Sequence, residues 1–134
     1  MLQTNHFKAN HLLAALSDIE WQRIGPYLEP VELPLGQVLY ESGQPMAYAY
    51  FPTTAIVSVL YVMESGASAE IAVIGREGVV GVSLFLGGDT TPSRGVVQSA
   101  GLGMRLNAQR IKNEFNLSGP FMRLLLRYTQ ALIS

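Results

Sequence analysis

The hydrophobic and polar positions divide the chain into helical ends and a β-rich middle. In residues 10–28 the leucines recur at helical spacing, and Ser17 with Glu20 has the S-x-x-E spacing of a capping box. Two short helices are therefore predicted to abut there. Gly25-Pro26 interrupts the second helix, after which the pattern changes to short extended runs.

The middle of the chain consists of short runs rich in valine, isoleucine, tyrosine and leucine, which is the composition of β-strands. Turn sequences such as Glu-Ser-Gly, Gly-Arg-Glu-Gly and Gly-Gly-Asp separate these runs. Many short strands with few long gaps predict a small antiparallel barrel or jelly roll. The predicted strand runs are AYAYFP, AIVSVLYVM, AEIAVIG, GVVGVSLF, RGVVQSAG and LGMRL.

The C-terminal part is predicted to be helical. Asn107 is expected to cap the helix AQRIKNEF, and Ser118-Gly119-Pro120 begins a last helix with proline in its first turn. Glycine, proline or a basic turn that would close this helix is missing after its last apolar residues. The chain is therefore expected to end inside the helix.

This last helix has two apolar stripes, one following Phe121 and the other following Met122. Because a barrel can cover only one stripe, the other is predicted to contact the same helix of a second copy in a homodimer. The alternative is that the monomer buries most of the helix circumference. The residues assigned to the dimer contact are Met122, Leu125, Leu126, Thr129, Leu132 and Ile133.

Composition limits the possible functions. The 134 residues contain no linker-like tract, which predicts a single domain over residues 1–134. Nine basic and ten acidic residues give a net charge of −1, without the positive excess of a nucleic-acid-binding domain. The chain has no cysteine and only two histidines, His6 and His11, so no metal site is predicted. Without a signal peptide or a long apolar run, a cytoplasmic location with no membrane partner is expected.

Two stretches resemble a known family. The stretch LPLGQVLYESGQP resembles the G-x-x-L-[FYI]-x-x-G-[DEQ] motif of that family. The stretch IAVIGREGVVGVSLFLGG resembles its strand and turn followed by G-x-[FIV]-[FIV]-G. The family is that of the CRP/FNR transcription regulators, and the likeness is to their effector domain. The resemblance covers nearly the whole chain. It implies a mainly β fold with flanking α: a double-stranded β-helix, or jelly roll, like the cyclic-nucleotide-binding barrel, with N-terminal helices and a C-terminal dimerisation helix. It also implies that DNA is bound only through a helix-turn-helix domain absent from this chain.

The phosphate-binding cassette of that family reads approximately G-E-[LIV]-[AG], then a variable turn, then R-[ST]-A. Gly81 matches its first glycine, but Val82 stands where the glutamate that holds the ribose is expected. Arg94 lies at about the distance of the phosphate arginine, but Gly95 follows it. The cassette is therefore degenerate, and a standard cAMP or cGMP site is not predicted. No cofactor is assigned, and the candidate ligand is a cyclic nucleotide or another small anionic effector. The residues assigned to the ligand site are Gly81, Val82, Ser83, Thr90, Thr91, Ser93 and Arg94.

Other interpretations stay open at this point. Residues 87–89 could form a surface turn with Arg94 as a solvated residue at a strand end, in which case the barrel is a ligand-free scaffold for a dimer. A cupin-like enzyme would need several histidines on its strands, and residues 31–106 contain none. Since no cysteine or serine has the setting of a nucleophile either, the chain is predicted not to be an enzyme. The aromatic cluster of Tyr40, Tyr48, Tyr50 and Phe51 could stack on a ligand ring, but packing in the core or at the rim of the barrel is preferred.

Overall fold

The computed structural model describes residues 8–81, 84, 91–117 and 127–128, and these form two antiparallel sheets with flanking helices. One sheet has the strand order β1-β7-β3 and the other β2-β6-β4-β5. This architecture confirms the predicted mainly β jelly roll with flanking α. In chain order the elements are α1 (His11–Ala14), α2 (Asp18–Ile24), β1 (Glu29–Leu33), β2 (Val38–Tyr40), β3 (Tyr48–Pro52), β4 (Ile56–Val62), β5 (Ser68–Ile74), β6 (Ser93–Ser99), β7 (Gly101–Asn107) and α3 (Ala108–Leu117).

The predicted strand runs coincide with β3 to β7 apart from one, GVVGVSLF. Among its described residues only a single bridge forms, in which Tyr50 and Val80 exchange backbone hydrogen bonds of 2.9 and 2.8 Å. The adjacent Gly81 has φ +118°, a conformation that glycine adopts without strain and that does not continue a strand. Of the described residues in this run, only Val80 therefore pairs with another strand, and residues 82, 83 and 85 of the run lie outside the described part of the chain.

The helix boundaries follow the signals in the sequence. The hydroxyl of Ser17 accepts a hydrogen bond from the Glu20 N–H, and the Glu20 carboxylate accepts one from the Ser17 N–H, so the capping box is confirmed. Helix α2 then ends at Gly25-Pro26 in a short 3-10 turn. At the start of α3, the Oδ1 atom of Asn107 accepts a hydrogen bond of 2.8 Å from the Gln109 N–H, so the predicted cap is confirmed.

The last helix is described only at Arg127 and Tyr128, which are helical. The dimer contact therefore stays a prediction. Its assigned residues, Met122, Leu125, Leu126, Thr129, Leu132 and Ile133, lie outside the described part of the chain.

The core lies between the two sheets and extends beneath the N-terminal helices. Phe51 and Met104 come from one sheet, Val57 from the other, and Leu13 and Ile24 from α1 and α2; all five are almost completely buried. Burial of such side chains from both sheets supplies the main stabilisation of a jelly roll. The preferred packing interpretation of the aromatic cluster is confirmed for its buried members, Tyr40, Tyr50 and Phe51.

Asn10 is a fully buried polar residue that joins α1 to the rest of the fold. Its Oδ1 atom accepts from the N–H groups of Leu12 and Leu13, at 3.0 and 3.2 Å, and so caps α1. Its Nδ2 atom donates to the carbonyls of Pro52 and Gly78, at 2.8 and 2.9 Å. Both protons and both lone pairs of the amide are thereby used. One side chain thus fixes a helix start, the end of β3 and the turn after β5.

We expect Asn10→Ala to lower the free energy of unfolding by about 3 kcal/mol or more, because it leaves several buried backbone groups without partners. The matched control is Asn107→Ala, which removes the exposed cap of α3 and should cost only about 1 kcal/mol. Urea denaturation followed by circular dichroism measures both. Equal losses for the two variants would contradict the role assigned to Asn10.

Candidate functional site

The candidate site is built on the pairing of β2 with β6. Tyr40 is in register with Gly95, and a Cβ on Gly95 would lie 2.5 Å from Cε1 of Tyr40. The tyrosine ring therefore covers the core-facing side of Gly95. Because neighbouring residues of a strand point to opposite faces, Ser93 shares this side with Gly95, whereas Arg94 points outward. The burial pattern of β6 agrees, since Ser93 and Gly95 are buried and Arg94 is partly exposed.

The inward face carries a chain of three hydroxyl groups. Tyr40 Oη and Ser93 Oγ share a hydrogen bond of 3.2 Å, and Ser93 Oγ shares one of 3.0 Å with Thr91 Oγ1. The Ser93 N–H also donates to Thr91 Oγ1, at 3.3 Å. Burial raises the pKa of Tyr40 above its usual value, and the Ser93 hydrogen bond offsets part of this rise. The chain of hydroxyls is therefore uncharged at neutral pH.

The outward face carries an ion pair. Arg94 Nη2 lies 3.2 Å from Oε2 of Glu41, the residue that follows Tyr40 at the end of β2, with 34% of the arginine side chain and 49% of the glutamate side chain exposed. The Nε atom of Arg94 is buried and has no hydrogen-bond partner among the described residues. An ion pair this exposed contributes about 0–1 kcal/mol to stability. Its main effect is to neutralise the charge of Arg94 on the outside of the barrel.

Of the remaining assigned residues, the structure describes only Gly81, which is not on β6. Gly81 lies beside β3 of the other sheet, where its Cβ would be 3.3 Å from Cα of Ala49. Val82, Ser83 and Thr90 lie outside the described residues. The structure thus brings Thr91 and Ser93 together and places Arg94 on the opposite face. Ligand binding by these residues stays a prediction.

The segment of Thr91 and Pro92, before β6, is held by two neighbouring elements. The Gly43 N–H donates to the Thr91 carbonyl at 2.9 Å, and the Val62 N–H donates to the Pro92 carbonyl at 3.1 Å. The Ser42 hydroxyl also donates to the Pro92 carbonyl, at 3.2 Å. These contacts fix the position of the Thr91 hydroxyl beside Ser93.

Two residues of this region were missed by the sequence analysis. Glu41 is the ionic partner of Arg94, and Tyr61 of β4 is in register with Ser93, so its ring lies on the inward face with 43% of its surface exposed. The only sequence signal for Glu41 is its position after Tyr40: because side chains alternate along a strand, an inward Tyr40 indicates an outward Glu41. No local signal distinguishes Tyr61 from its neighbours, because the pairing of β4 with β6 decides which face it occupies.

The turn at residues 75–81 contacts both the start of α1 and the last helix. The His11 N–H donates to the Arg76 carbonyl at 2.7 Å, and Asn10 bonds the Gly78 carbonyl. From the last helix, the Tyr128 hydroxyl reaches the Val79 carbonyl at 3.5 Å. Burial raises the pKa of Tyr128, and the hydrogen bond to this carbonyl offsets part of the rise. The turn that leads into Gly81 is therefore in contact with the helix predicted to form the dimer.

Neither a metal centre nor a membrane helix is found in the described part of the chain. Its residues contain no group of three or more histidine, cysteine, aspartate or glutamate side chains placed to hold a metal ion. No helix among them is long and apolar enough to cross a membrane.

A family model matches most of the chain. The model of the cyclic nucleotide-binding domain covers residues 30–116. The chain belongs to this family. The match includes nearly all of β1, all of β2 to β7 and nearly all of α3, so the family's regulatory barrel fold is the fold described above. No curated protein sequence matches the chain.

Solved structures of other proteins share this fold. The sensor domain of the transcriptional regulator DNR from Pseudomonas aeruginosa has 14% identity and a TM-score of 0.74, and the match covers 95% of this chain and 85% of that one. This neighbour is a transcriptional regulator, the class of protein to which the sequence resemblance points.

Two trypanosomal proteins are also similar. The regulatory subunit of a cAMP-independent protein kinase A from Trypanosoma brucei, in a triple mutant bound to cAMP, has 19% identity and a TM-score of 0.78, with 94% of this chain and 45% of that chain covered. Its counterpart from Trypanosoma cruzi, bound to guanosine, has 17% identity and a TM-score of 0.75, with 92% and 44% covered. This chain therefore spans less than half of either regulatory subunit.

We expect Gly78→Ala to destabilise the domain by about 1–3 kcal/mol, because the new Cβ would lie 2.7 Å from Cε1 and Cζ of Tyr128. The matched control is Gly75→Ala, whose Cβ would meet only the movable carboxylate of Glu77 at 3.1 Å. Thermal unfolding gives the two losses. The double variant Gly78→Ala, Tyr128→Ala should lose less than the sum of its single changes, since the overlap is gone. Strict additivity would show that the ring does not lie over Gly78 in solution.

Proposed function

We propose that this chain is the effector-sensing and dimerisation domain of a CRP/FNR-like transcription regulator, and that its phosphate-binding cassette does not form a standard cAMP or cGMP site. The regulator is a homodimer through the C-terminal helix, and it contacts DNA only through a further domain. The domain has no enzymatic activity of its own. The cytoplasmic location expected from the sequence belongs to the same proposal.

The observation that carries this proposal is the outward position of Arg94 and its ion pair with Glu41. A cyclic phosphate needs a cation that can approach it closely, because burying an unpaired negative charge costs several kcal/mol or more. In this chain Arg94 is already paired with Glu41, and it lies on the other side of β6 from the hydroxyl chain. The replacement of the ribose-binding glutamate by Val82 points the same way.

The neighbours support this interpretation. The kinase to which the Trypanosoma brucei subunit belongs is described as cAMP-independent, and one of the three substitutions in the cAMP-bound mutant of the subunit replaces a threonine by arginine. Its counterpart from Trypanosoma cruzi is bound to guanosine, which has no phosphate. A protein that contains a domain of this fold can therefore bind a nucleoside. The similar domain of DNR is the sensor domain of a transcriptional regulator, which supports the same role for this chain.

We expect cAMP and cGMP at about 1 mM to leave the melting temperature of the chain unchanged, while at least one other small metabolite raises it. A ligand present at about 100 times its Kd should stabilise the domain by roughly 2.7 kcal/mol. The measurement is a thermal-shift screen with both cyclic nucleotides, nucleosides, and phosphorylated and carboxylated metabolites. Tight binding of cAMP that disappears in Arg94→Ala would contradict the non-standard site. No shift with any compound would favour the ligand-free scaffold, which is the alternative function.

We expect the chain to sediment as a dimer and Leu126→Glu to convert it to a monomer, because a charge on the second apolar stripe opposes helix pairing. The matched control is Arg127→Glu at the next position, which is exposed in the structure and should leave the dimer intact. Analytical ultracentrifugation at several concentrations distinguishes these states. A dimer that survives Leu126→Glu would contradict the proposed interface.

A further inference from the structure

We propose that the inward face of β6 binds an uncharged ligand that carries hydroxyl groups, and that the hydroxyl chain of Tyr40, Ser93 and Thr91 holds it without any direct role for Arg94. This inference rests on the proposed function, because it names the ligand class of the same sensor site.

The first support is the hydrogen-bonding capacity of the three hydroxyls. Each carries one proton, and the two bonds that join them, Tyr40 to Ser93 and Ser93 to Thr91, use two of the three protons. Among the described residues, no acceptor receives the third proton, whichever direction the chain of bonds takes. One end of the chain can therefore donate to a ligand, while the lone pairs at the other end can accept.

The second support is the absence of charge on this face in the described part of the barrel. The buried charged side chains of the described residues are Glu20 and Glu114, which belong to α2 and α3. Glu20 closes the capping box, and Glu114 pairs with Arg23 at 3.2 Å. Neither contacts the hydroxyl chain. A phosphate or carboxylate placed against Ser93 would have only hydroxyl donors to compensate its charge, whereas an uncharged ligand loses little on leaving water.

The third support is that Arg94 cannot exchange faces while β6 keeps its pairing. Bringing it inward requires a slip of one residue, which would move every side chain of the strand to the other face. That slip would remove Gly95 from beneath the Tyr40 ring, where a Cβ does not fit. It would also expose Val97, which is almost completely buried in the core. The glycine and the core valine therefore keep Arg94 beside Glu41.

The ring of Tyr61 adds a second kind of contact. It faces inward opposite Ser93 and is partly exposed, so it offers a flat apolar surface beside the hydroxyl chain. Aromatic faces stack on planar rings, and hydroxyls recognise sugar hydroxyls. The combination suits a neutral ligand that joins a sugar to a planar ring, and adenosine and guanosine are therefore the probes.

The test is isothermal titration calorimetry of the whole chain with adenosine, guanosine, cAMP and cGMP. A nucleoside should bind more tightly than its cyclic monophosphate. Ser93→Ala should weaken nucleoside binding about 10-fold, the effect of losing one well-placed hydrogen bond. The matched controls are Arg94→Gln and Glu41→Gln, on the opposite face, which should each change the Kd by less than about twofold. If circular dichroism shows Ser93→Ala to be unfolded, Thr91→Val, which should cause a similar loss, replaces it.

Three outcomes would overturn the inference. Binding of either cyclic nucleotide that is tighter than that of the nucleosides and is lost in Arg94→Gln would show an anion site, and would leave the sensor function intact. Higher affinity for cAMP in Glu41→Gln would show that the glutamate competes with a phosphate for Arg94. A failure of all four probes, together with no shift in the wider metabolite screen, would contradict both this inference and the sensor function.

Discussion

The packing of the Tyr40 ring over Gly95 is the contact on which the arrangement of the candidate site depends. The ring needs a residue without a side chain beneath it, and so it fixes which side of β6 faces the core. Once that side is set, strand alternation places Ser93 beside the Tyr40 hydroxyl and Arg94 beside Glu41. A single steric requirement thereby separates the uncharged hydroxyls from the charged pair, and it decides the chemistry that each face of the strand can offer.

The turn at residues 75–81 is the second point where distant parts of the chain meet. Asn10 and His11 hold it from the N-terminal side, β3 holds it through Val80, and Tyr128 packs against Gly78 from the last helix. Its contacts are mostly backbone hydrogen bonds and one close ring contact, which have defined geometry. A change in the position of this turn must therefore alter the contact of Tyr128, so the turn is suited to connect the barrel with the helix.

Membership of the cyclic nucleotide-binding domain family establishes the fold of this chain. Which ligand such a fold binds depends on the residues of the site. The barrel is retained, since the core and the glycines that permit its turns are present. At the predicted ligand site, Val82 has no carboxylate and Arg94 is paired with Glu41. A barrel of this kind can keep its fold while the ligand that it binds changes.

The sequence by itself determined the strands β3 to β7, the capping box of α2 and the cap of α3, because each depends on residues close together in the chain. Only the tertiary structure decided the face on which Arg94 lies. Serine, arginine and glycine in succession carry no hydrophobic signal that distinguishes the two faces of β6. The deciding contacts come from Tyr40 and Glu41, each 53 residues away from its hydrogen-bonding partner in β6. Strand alternation gives a period of two, and long-range packing selects which of the two faces is inside.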